Sequence, residues 1–335
     1  MKIKALALVS GGLDSLLAAK LIKDQGLEVI GLHFKIPFCK LDIKKSFPDI
    51  GIKIIEVNLA CEFLKLIRDP RYGFGSNMNP CIDCKILMFA KAKELLLKLG
   101  ARFIITGEVL GQRPMSQNKQ ALKLIKQESG LGDLLLRPLS AKFFSPSLPE
   151  REGWVEREKL LDFNGRARSP QMQLAKSLGI AKYANPAGGC LLTDPCFSKR
   201  LRELLEHEEL NLDNLELLKV GRHFRLRKNA RLAVGRNEDE NNLLMRLARP
   251  GDYLLYPQND LAGPTSLARG LVGAGLLDLC SQITSAYCDT ADHGEINIIY
   301  RYLPVALAIG NQSEREEKSR KVSCVPKSNF AHLLI

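Results

Sequence analysis

Three cysteines are placed where they could act together on a substrate. Cys81 and Cys84 lie in the stretch NMNPCIDCK, and Cys190 ends the stretch NPAGGC. Asn79 suits a helix N-cap and Pro80 the first helical position, so the pattern predicts both leading cysteines one turn apart on one helix face. The positive end of a helix lowers the pKa of a thiol and favours the thiolate, which binds metals and acts as a nucleophile.

A second group of candidate residues surrounds two glycines near the N-terminus. The stretch ALALVSGGLDSLLAAKLIKDQG passes from an apolar strand through Gly11 and Gly12 into a helix. The glycines let the backbone approach a ligand closely, and the helix points its first amides at that ligand. Ser10 and Ser15 add hydroxyl donors. The pattern predicts an anion site, with phosphate as the expected anion, although it lacks the Gly-Lys-Ser/Thr of a Walker loop.

These residues must be positioned by the elements around them, and the first half of the chain alternates strands with helices. Strands are predicted at IKALALVS, LEVIGLHFK, IKIIEVNL and ARFIITG, with helices at LDSLLAAKLIKDQG and CIDCKILMFAKAKELLLKLG. This alternation predicts an α/β fold with a doubly wound parallel sheet, in which ligands bind beyond the carboxyl ends of the strands. Beyond the helix SKRLRELLEHEEL, short strands at RHFRLR, GDYLLYP and INIIYRYL predict a separate α+β module. We place the domains at residues 1–200 and 205–335.

The string SGGLDS, Ser10 to Ser15, resembles the PP-loop of the ATP pyrophosphatase superfamily. The resemblance implies a Rossmann-like domain that binds ATP and activates a substrate oxygen by adenylation, with release of pyrophosphate. It implies that Asp14 is a catalytic residue that helps to position Mg²⁺. The residues that it implies for ATP binding are Ser10, Gly11, Gly12, Leu13, Asp14, Ser15, His33, Phe34 and Gly107.

Together, the cysteines resemble those of PP-loop tRNA thiolases, a group that includes 4-thiouridine synthases and 2-thiouridylases. NPCIDC is close to the 2-thiouridylase motif, and TGEVLGQRPMSQ is similar to a segment of the 4-thiouridine synthases. That segment would project Glu108, Gln112 and Gln117 over the same site. Because the PP-loop lies at the start of this sequence, we expect the THUMP-type region of the synthases, and the rhodanese region that some of them add, to be missing. Sulfur is therefore expected from free sulfide or from a cysteine desulfurase.

Three thiolates leave three kinds of site open. In the preferred one, Cys81, Cys84 and Cys190 hold a [4Fe–4S] cluster, whose fourth iron binds the sulfide that attacks the adenylated base. In the second, one cysteine carries a persulfide and another resolves it by forming a disulfide. The third is a structural zinc site with Cys196 as the fourth ligand. The cysteines without ligand spacing are expected to be structural: Cys39, Cys61, Cys280, Cys288 and Cys324.

The C-terminal module carries a run of basic residues. Alternation along RHFRLR places His223, Arg225 and Arg227 on one face of a predicted strand. The stretch VGRHFRLRKNARLAVGRNEDEN resembles the RNA-binding module of the NFACT family, which implies an RNA-binding role; a solvated surface strand is the alternative. The candidate phosphate-binding residues are Arg222, Arg225, Arg227, Lys228 and Arg231.

Charge and composition agree with an enzyme that acts on nucleic acid. The 335 residues include 49 basic and 37 acidic ones, giving a net charge of +12 that favours polyanionic partners. No apolar run is long enough for a membrane span and no signal peptide is predicted, so we expect a cytoplasmic protein without a membrane partner. The pattern does not predict an oligomeric state.

The sequence therefore predicts an ATP-dependent tRNA sulfurtransferase whose partners are tRNA and a sulfur donor. ATP adenylates a uracil carbonyl oxygen, sulfide or persulfide attacks that carbon, and AMP leaves. Two alternatives stay open at this point. One is a PP-loop ligase that forms amides, and the other is a non-catalytic adaptor that binds RNA or the ribosome.

Overall fold

A computed structural model describes residues 2–39, 43, 50–180, 183, 189–207, 209–258, 261–289, 294–304 and 317–335. The chain divides into two compact units, Met1–Asp194 and Pro195–Ile335. Gly188, one of the two glycines predicted to make Cys190 approachable, lies outside the described residues. Within those residues, no helix combines the length and apolar character needed to cross a membrane.

The N-terminal unit is built on a parallel sheet. Its strands are β1 (Lys4–Leu8), β2 (Glu28–Lys35), β3 (Lys53–Asn58), β4 (Phe103–Thr106) and β5 (Leu135–Leu136). Among the described residues these form a five-stranded sheet in the order β3-β2-β1-β4-β5. Its helices are α1 (Leu13–Lys23), α2 (Ala60–Arg68), α3 (Cys81–Lys98), α4 (Lys119–Glu128), α5 (Leu148–Arg151) and α6 (Ser169–Ser177).

Side chains of β1 alternate between two cores, one on each face of this sheet. Ala5 and Ala7 join a core with Leu16 and other residues of α1. Leu6 points to the opposite face and joins a core with Phe89 of α3. Because both faces are covered, the strands are apolar on both sides, as in other parallel sheets. This packing fixes the starts of α1 and α3 relative to the strands that precede them.

The C-terminal unit is an antiparallel sheet with helices. Its strands are β6 (Arg222–Arg227), β7 (Ala230–Val234), β8 (Tyr253–Pro257), β9 (Ser266–Gly270), β10 (Glu295–Tyr302) and β11 (Glu317–Ser323). In the described part of the unit they are ordered β11-β10-β8-β9-β7-β6. Its helices are α7 (Pro195–Glu206), α8 (Leu212–Leu218), α9 (Glu238–Leu247) and α10 (Ala274–Ser285). Leu277 and Ile283 of α10 pack on one face of the sheet.

The predicted fold class is confirmed, since a parallel α/β sheet is followed by an α+β module. Several elements were not predicted from the sequence patterns, among them β5, β11, α4, α9 and α10. One detail of α3 differs from the prediction. The helix begins at Cys81, and Pro80 is its cap residue, so the Asn79 side chain makes no cap hydrogen bond. Instead, Asn79 Nδ2 donates to Cys81 Sγ over 3.3 Å.

Candidate functional site

The loop after β1 lies at the switch point of the parallel sheet. The order β3-β2-β1-β4-β5 reverses direction between β1 and β4, and ligands of doubly wound sheets bind at the carboxyl ends of such strands. Gly107, just after β4, packs against the start of α1. A Cβ atom there would lie 2.5 Å from the Asp14 carbonyl carbon. Only glycine allows this approach, so the two loops form neighbouring walls of one crevice.

The SGGLDS loop is held open by its own serines. Ser15 Oγ donates to the Gly12 carbonyl over 2.8 Å, and the Ser10 amide donates to Ser15 Oγ over 3.2 Å. Gly11 has a positive φ of 82°, which favours glycine. Gly12 is the N-cap of α1, and the first amides of a helix have no acceptor within it. The first amides of α1 are thus without an acceptor inside the helix, as the predicted anion site requires, while the serine hydroxyls shape the loop.

Asp14 and the segment after β4 are joined directly. Gln112 Nε2 donates to Asp14 Oδ2 over 2.9 Å, which fixes the carboxylate at the start of α1. Gln117 is buried, and no partner of its Oε1 atom is found among the described residues. Of the three residues expected over the site, Gln112 is thus the one that contacts the loop.

Glu108, the second of those three, holds parts of the crevice together through ion pairs. It is buried, and its carboxylate binds Lys85 of α3 at 2.6 Å and Arg137 at 2.8 Å. Burial alone would raise the pKa of Glu108, but Lys85 and Arg137 outweigh it and lower the pKa to about 2. A carboxylate so firmly ionised is a poor general base, and it ties the segment to α3 at Lys85, the residue after Cys84.

His33 and Phe34, predicted near the nucleotide base, lie at the end of β2. Both are buried, and His33 Nδ1 lies 3.0 Å from the Val9 carbonyl oxygen. In this structure the two side chains pack the strand end, and their contact with a nucleotide stays a prediction.

The thiols predicted to act together are neighbours, and a fourth thiol joins them. Cys190 interacts electrostatically with Cys81 and Cys84, and also with Cys39. Cys39 and Cys190 face each other in an isolated antiparallel bridge, supported by a 2.9 Å hydrogen bond from the Leu191 amide to the Phe38 carbonyl. Cys39, expected to be structural because it shows no ligand spacing, therefore lies beside Cys190. Cys196 is exposed on α7.

The signal for Cys39 was available in the topology. It follows the carboxyl end of β2, and the carboxyl ends of parallel strands share one edge of the sheet. Spacing along the chain did not show this, because Cys39 lies far from both other cysteine motifs.

Burial raises the pKa of two thiols of this group. Desolvation raises the pKa of Cys84 far above its usual value, and the neighbouring cysteines add to the rise. Burial likewise raises the pKa of Cys190 to about 11. The helix start was predicted to make Cys84 acidic, but burial opposes the charged form of this thiol and raises its pKa.

The donor arrangement does not match the predicted metal centre. Across the described ranges, no group of three or more His, Cys, Asp or Glu side chains is arranged to hold a metal ion. All four clustered cysteines lie within those ranges and carry free thiols. The [4Fe–4S] cluster and the zinc site stay predictions of the sequence.

In the C-terminal unit, two of the predicted RNA-binding arginines are engaged internally. Arg231 is 2% exposed and pairs with Glu209, and Arg225 pairs with both Glu203 and Glu209. A bulge between Arg225 and Arg227 also breaks the predicted shared face. Arg231 therefore cannot contact a phosphate without unfolding this region, and the prediction for it is corrected.

The other basic residues differ in accessibility. Arg227 and Lys228 are exposed at the turn between β6 and β7. Arg222 is half-buried and lies over the ring of Tyr287 at 4.7 Å. His223, expected beside them on a basic face, is buried, and desolvation with Arg200 and Arg231 lowers its pKa to about 3. Arg227 and Lys228 are the candidates that the fold leaves open.

Comparisons with known proteins match a different family model to each of the two units. Residues 1–142 match the family model described as thiamine biosynthesis protein (ThiI), and residues 221–329 match the NFACT protein RNA binding domain. Each of the two units thus matches a different family model over part of its length. Both resemblances drawn from the sequence motifs are confirmed.

Relatives of the ThiI-type segment include tRNA-specific 2-thiouridylases. The one from Marinobacter nauticus is 32% identical over 35% of this chain and 34% of its own length. The one from Polynucleobacter asymbioticus is 25% identical over 77% of this chain and 70% of its own length. A solved 4-thiouridine synthetase–RNA complex with bound ATP has 22% identity and a TM-score of 0.36, covering 63% of this chain and 52% of its own. The chain thus spans about a third of the length of the first of these relatives.

Proposed function

We propose that this protein is an ATP-dependent tRNA uridine thiolase. The observation that carries the proposal is the segment after β4, which touches both halves of one crevice. It meets the anion loop through Gln112 and Asp14, and it meets the cysteine helix through Glu108 and Lys85. The Arg113 charge also acts on Cys190. These contacts support a single site that combines a phosphate-binding loop with a group of thiols, as adenylation followed by sulfur attack requires.

The residues of the crevice divide the work. The first amides of α1 bind the ATP phosphates, and Gly107 keeps the wall close to them. Asp14, held by Gln112, is the residue that would hold Mg²⁺, which when bound neutralises phosphate charge. Adenylation makes the uracil oxygen a leaving group, and a sulfur nucleophile from the cysteine cluster replaces it as AMP departs.

In this proposal the C-terminal unit holds the tRNA. Its family match is an RNA-binding domain, and Arg227 and Lys228 are exposed on the turn between β6 and β7. The sulfur donor is free sulfide or a cysteine desulfurase. An amide-forming ligase would leave four adjacent thiols without a role, and an adaptor would leave the crevice without one.

Pyrophosphate release with and without tRNA tests the assignment, and Gly12→Val is the sharpest variant. Gly12 has extended backbone angles (φ −87°, ψ 159°), and a Cβ there meets only Ser10 Oγ at 3.5 Å. The variant should fold, because valine accepts these angles, but its side chain fills the space of the phosphates. We expect loss of tRNA-dependent pyrophosphate release with unchanged tRNA affinity.

Gly273→Val is a matched control. Gly273 is also the N-cap of a helix, with φ −83° and ψ 176°, and a Cβ there meets nothing within 4 Å. This variant should keep full activity. Full turnover by Gly12→Val would show that the loop is not the ATP site, and release of pyrophosphate with an amine acceptor instead of tRNA would favour the ligase.

Iron analysis tests the sulfur route. The cluster predicted from the sequence requires about four iron and four sulfide per chain in anaerobically purified protein. The thiol arrangement supports a persulfide route, in which protein freed of iron still thiolates tRNA when given a persulfide donor. Strict dependence of thiolation on iron would favour the cluster and leave the thiolase assignment intact.

A further inference from the structure

The fourth thiol of the cluster has a specific geometric relation to Cys190. Cys39 and Cys190 are partners in an antiparallel bridge, and the Leu191 amide donates to the Phe38 carbonyl beside them. A hydrogen bond between the flanking residues, and not between the partners, marks a non-hydrogen-bonded pair. In such pairs the Cα atoms lie about 4.5 Å apart, which falls within the range of about 4.4–6.8 Å found for disulfides.

Both sides of the bridge are anchored by buried residues. Phe38 is fully buried and its ring lies 5.5 Å from that of Phe63. On the other side Leu191 and Leu192 are buried, whereas Cys39 and Cys190 themselves are only half-buried. The backbone therefore holds the two thiols face to face while leaving them accessible to a reactant.

Cys190 has other thiols near it as well. The charges of Cys81 and Cys39 act on Cys190, and that of Cys190 acts on Cys84. Among these thiols, Cys39 is the one that the backbone pairing places directly opposite Cys190.

We propose that Cys39 is the resolving thiol for a persulfide carried on Cys190, an inference that rests on the proposed thiolase function. The terminal persulfide sulfur attacks the adenylated uracil carbon and AMP leaves, so that Cys190 becomes linked to the base through a disulfide. The Cys39 thiolate then attacks Cys190 Sγ. The bond between Cys190 Sγ and the terminal sulfur breaks, and its electron pair leaves with the thiolated base.

The products of this step balance. Cys39 gives up its proton and the two cysteines form a disulfide, while the transferred sulfur is released on the base at the sulfide oxidation level. A dithiol reductant then returns two electrons and restores both thiols for the next persulfide. Without the reductant, each chain completes one turnover.

A single-turnover experiment tests the proposal directly. Full-length protein is charged with polysulfide, mixed with ATP and unmodified tRNA, quenched with an alkylating reagent and digested for disulfide mapping. We expect one new disulfide, between Cys39 and Cys190, in amounts that match the thiouridine formed. A disulfide from Cys190 to Cys81 or Cys84, or thiolation without any disulfide, would overturn the proposal.

Cys39→Ser gives a second readout besides activity. With the resolving thiol removed, Cys190 stays linked to the base, and a tRNA adduct that dithiothreitol releases should appear on a non-reducing gel. Cys61→Ser is the control, because Cys61 is exposed on α2 and is not among the thiols that act on Cys190. Wild-type turnover by Cys39→Ser, without an adduct, would contradict the proposed role.

Oxidation in the absence of ATP and tRNA separates this inference from the function. Diamide should join Cys39 to Cys190 in the resting protein, whatever its substrate. If that disulfide forms but no thiouridine appears under any condition, the thiolase proposal fails and the pairing stands. If thiouridine forms and this disulfide never does, the function stands and the role of Cys39 fails.

Discussion

Each unit buries carboxylates among cations, and the two networks have different consequences. In the N-terminal unit a single carboxylate, Glu108, is shared by Lys85 and Arg137. That network ties two walls of the crevice together while the anion loop beside it remains open. In the C-terminal unit, Glu203 and Glu209 take up the charges of two arginines that the sequence suggested for RNA.

Whether a charged residue in a sequence motif acts on the fold or on a ligand depends on its burial. A buried ion pair contributes little to stability overall, but removing one partner leaves an uncompensated charge and is costly. Residues in both networks should therefore change folding strongly and ligand contacts only indirectly. Exposed cations near them should instead change ligand contacts strongly and folding only weakly.

The largest effect on folding is expected for Glu108→Gln. The change leaves Lys85 and Arg137 without a counter-charge in a buried position, and we expect a loss of about 4 kcal/mol in the free energy of unfolding. Denaturant titration followed by fluorescence of Trp154, the single tryptophan of the chain, reports on this unit. Glu94→Gln, which changes an exposed pair with Lys91, should not alter stability; equal stability of both variants would show that the Glu108 network has no special role.

Arg231→Met should have the next largest effect. Arg231 is 2% exposed, and its removal leaves Glu209 with Arg225, and Glu203 with Arg225 and His207. We expect a loss of about 3 kcal/mol in the free energy of unfolding. Hydrogen exchange of C-terminal peptides would measure it. Arg227→Met, an exposed change on the neighbouring strand, serves as the control. An Arg231→Met protein with native stability and weakened RNA binding would restore the direct role that the burial of Arg231 argues against.

Lowering the pH should destabilise the two units over different pH ranges. His223 has a pKa lowered to about 3, so the unfolded state takes up its proton first, near the usual 6.5. The neutral His223 therefore costs the fold no stability above the unfolded-state pKa of about 6.5. Between pH 7 and pH 5 the free energy of unfolding falls by about 2 kcal/mol. Protonation of Glu108 also lowers stability as the pH falls, but over a lower pH range. That range runs from the usual Glu pKa near 4.3 down to about 2.

Between pH 7 and pH 5, C-terminal peptides should therefore gain exchange while Trp154 fluorescence holds. His223→Gln should remove this pH dependence, because glutamine does not titrate and can still donate to the Val220 carbonyl that lies 2.8 Å from His223 Nε2. A simultaneous loss of both signals would contradict the separation of the two windows.

The smallest effect on folding is expected where RNA binding changes most. Replacing Arg227 and Lys228 together by Gln should leave stability unchanged, since both are exposed. It should lower the slope of log affinity for tRNA against log salt by about 2, because two phosphate contacts are lost. Lys65→Gln with Lys98→Gln, exposed positions of the other unit, is the charge-matched control. An unchanged slope would show that the RNA-binding surface lies elsewhere.

The chain itself determined much of this architecture. The alternation of KALAL between two cores, the glycines after it and the periodicity of α3 are local patterns, and each was sufficient to predict its element. The same holds for the SGGLDS loop and for the paired cysteines at the start of α3. Such features depend on neighbours within a few residues, which the sequence shows directly.

Tertiary structure decided the rest, for reasons that act between distant residues. Cys39 joined the cluster because β2 ends at the same sheet edge as β1 and β4. The pKa of Cys84 rose because burial opposes its charged form, which outweighs the effect of the helix start. Arg231 lost its predicted role because Glu209, twenty-two residues away, reaches it inside the fold. Burial and long-range pairing are properties of the assembled chain, and no local pattern carries them.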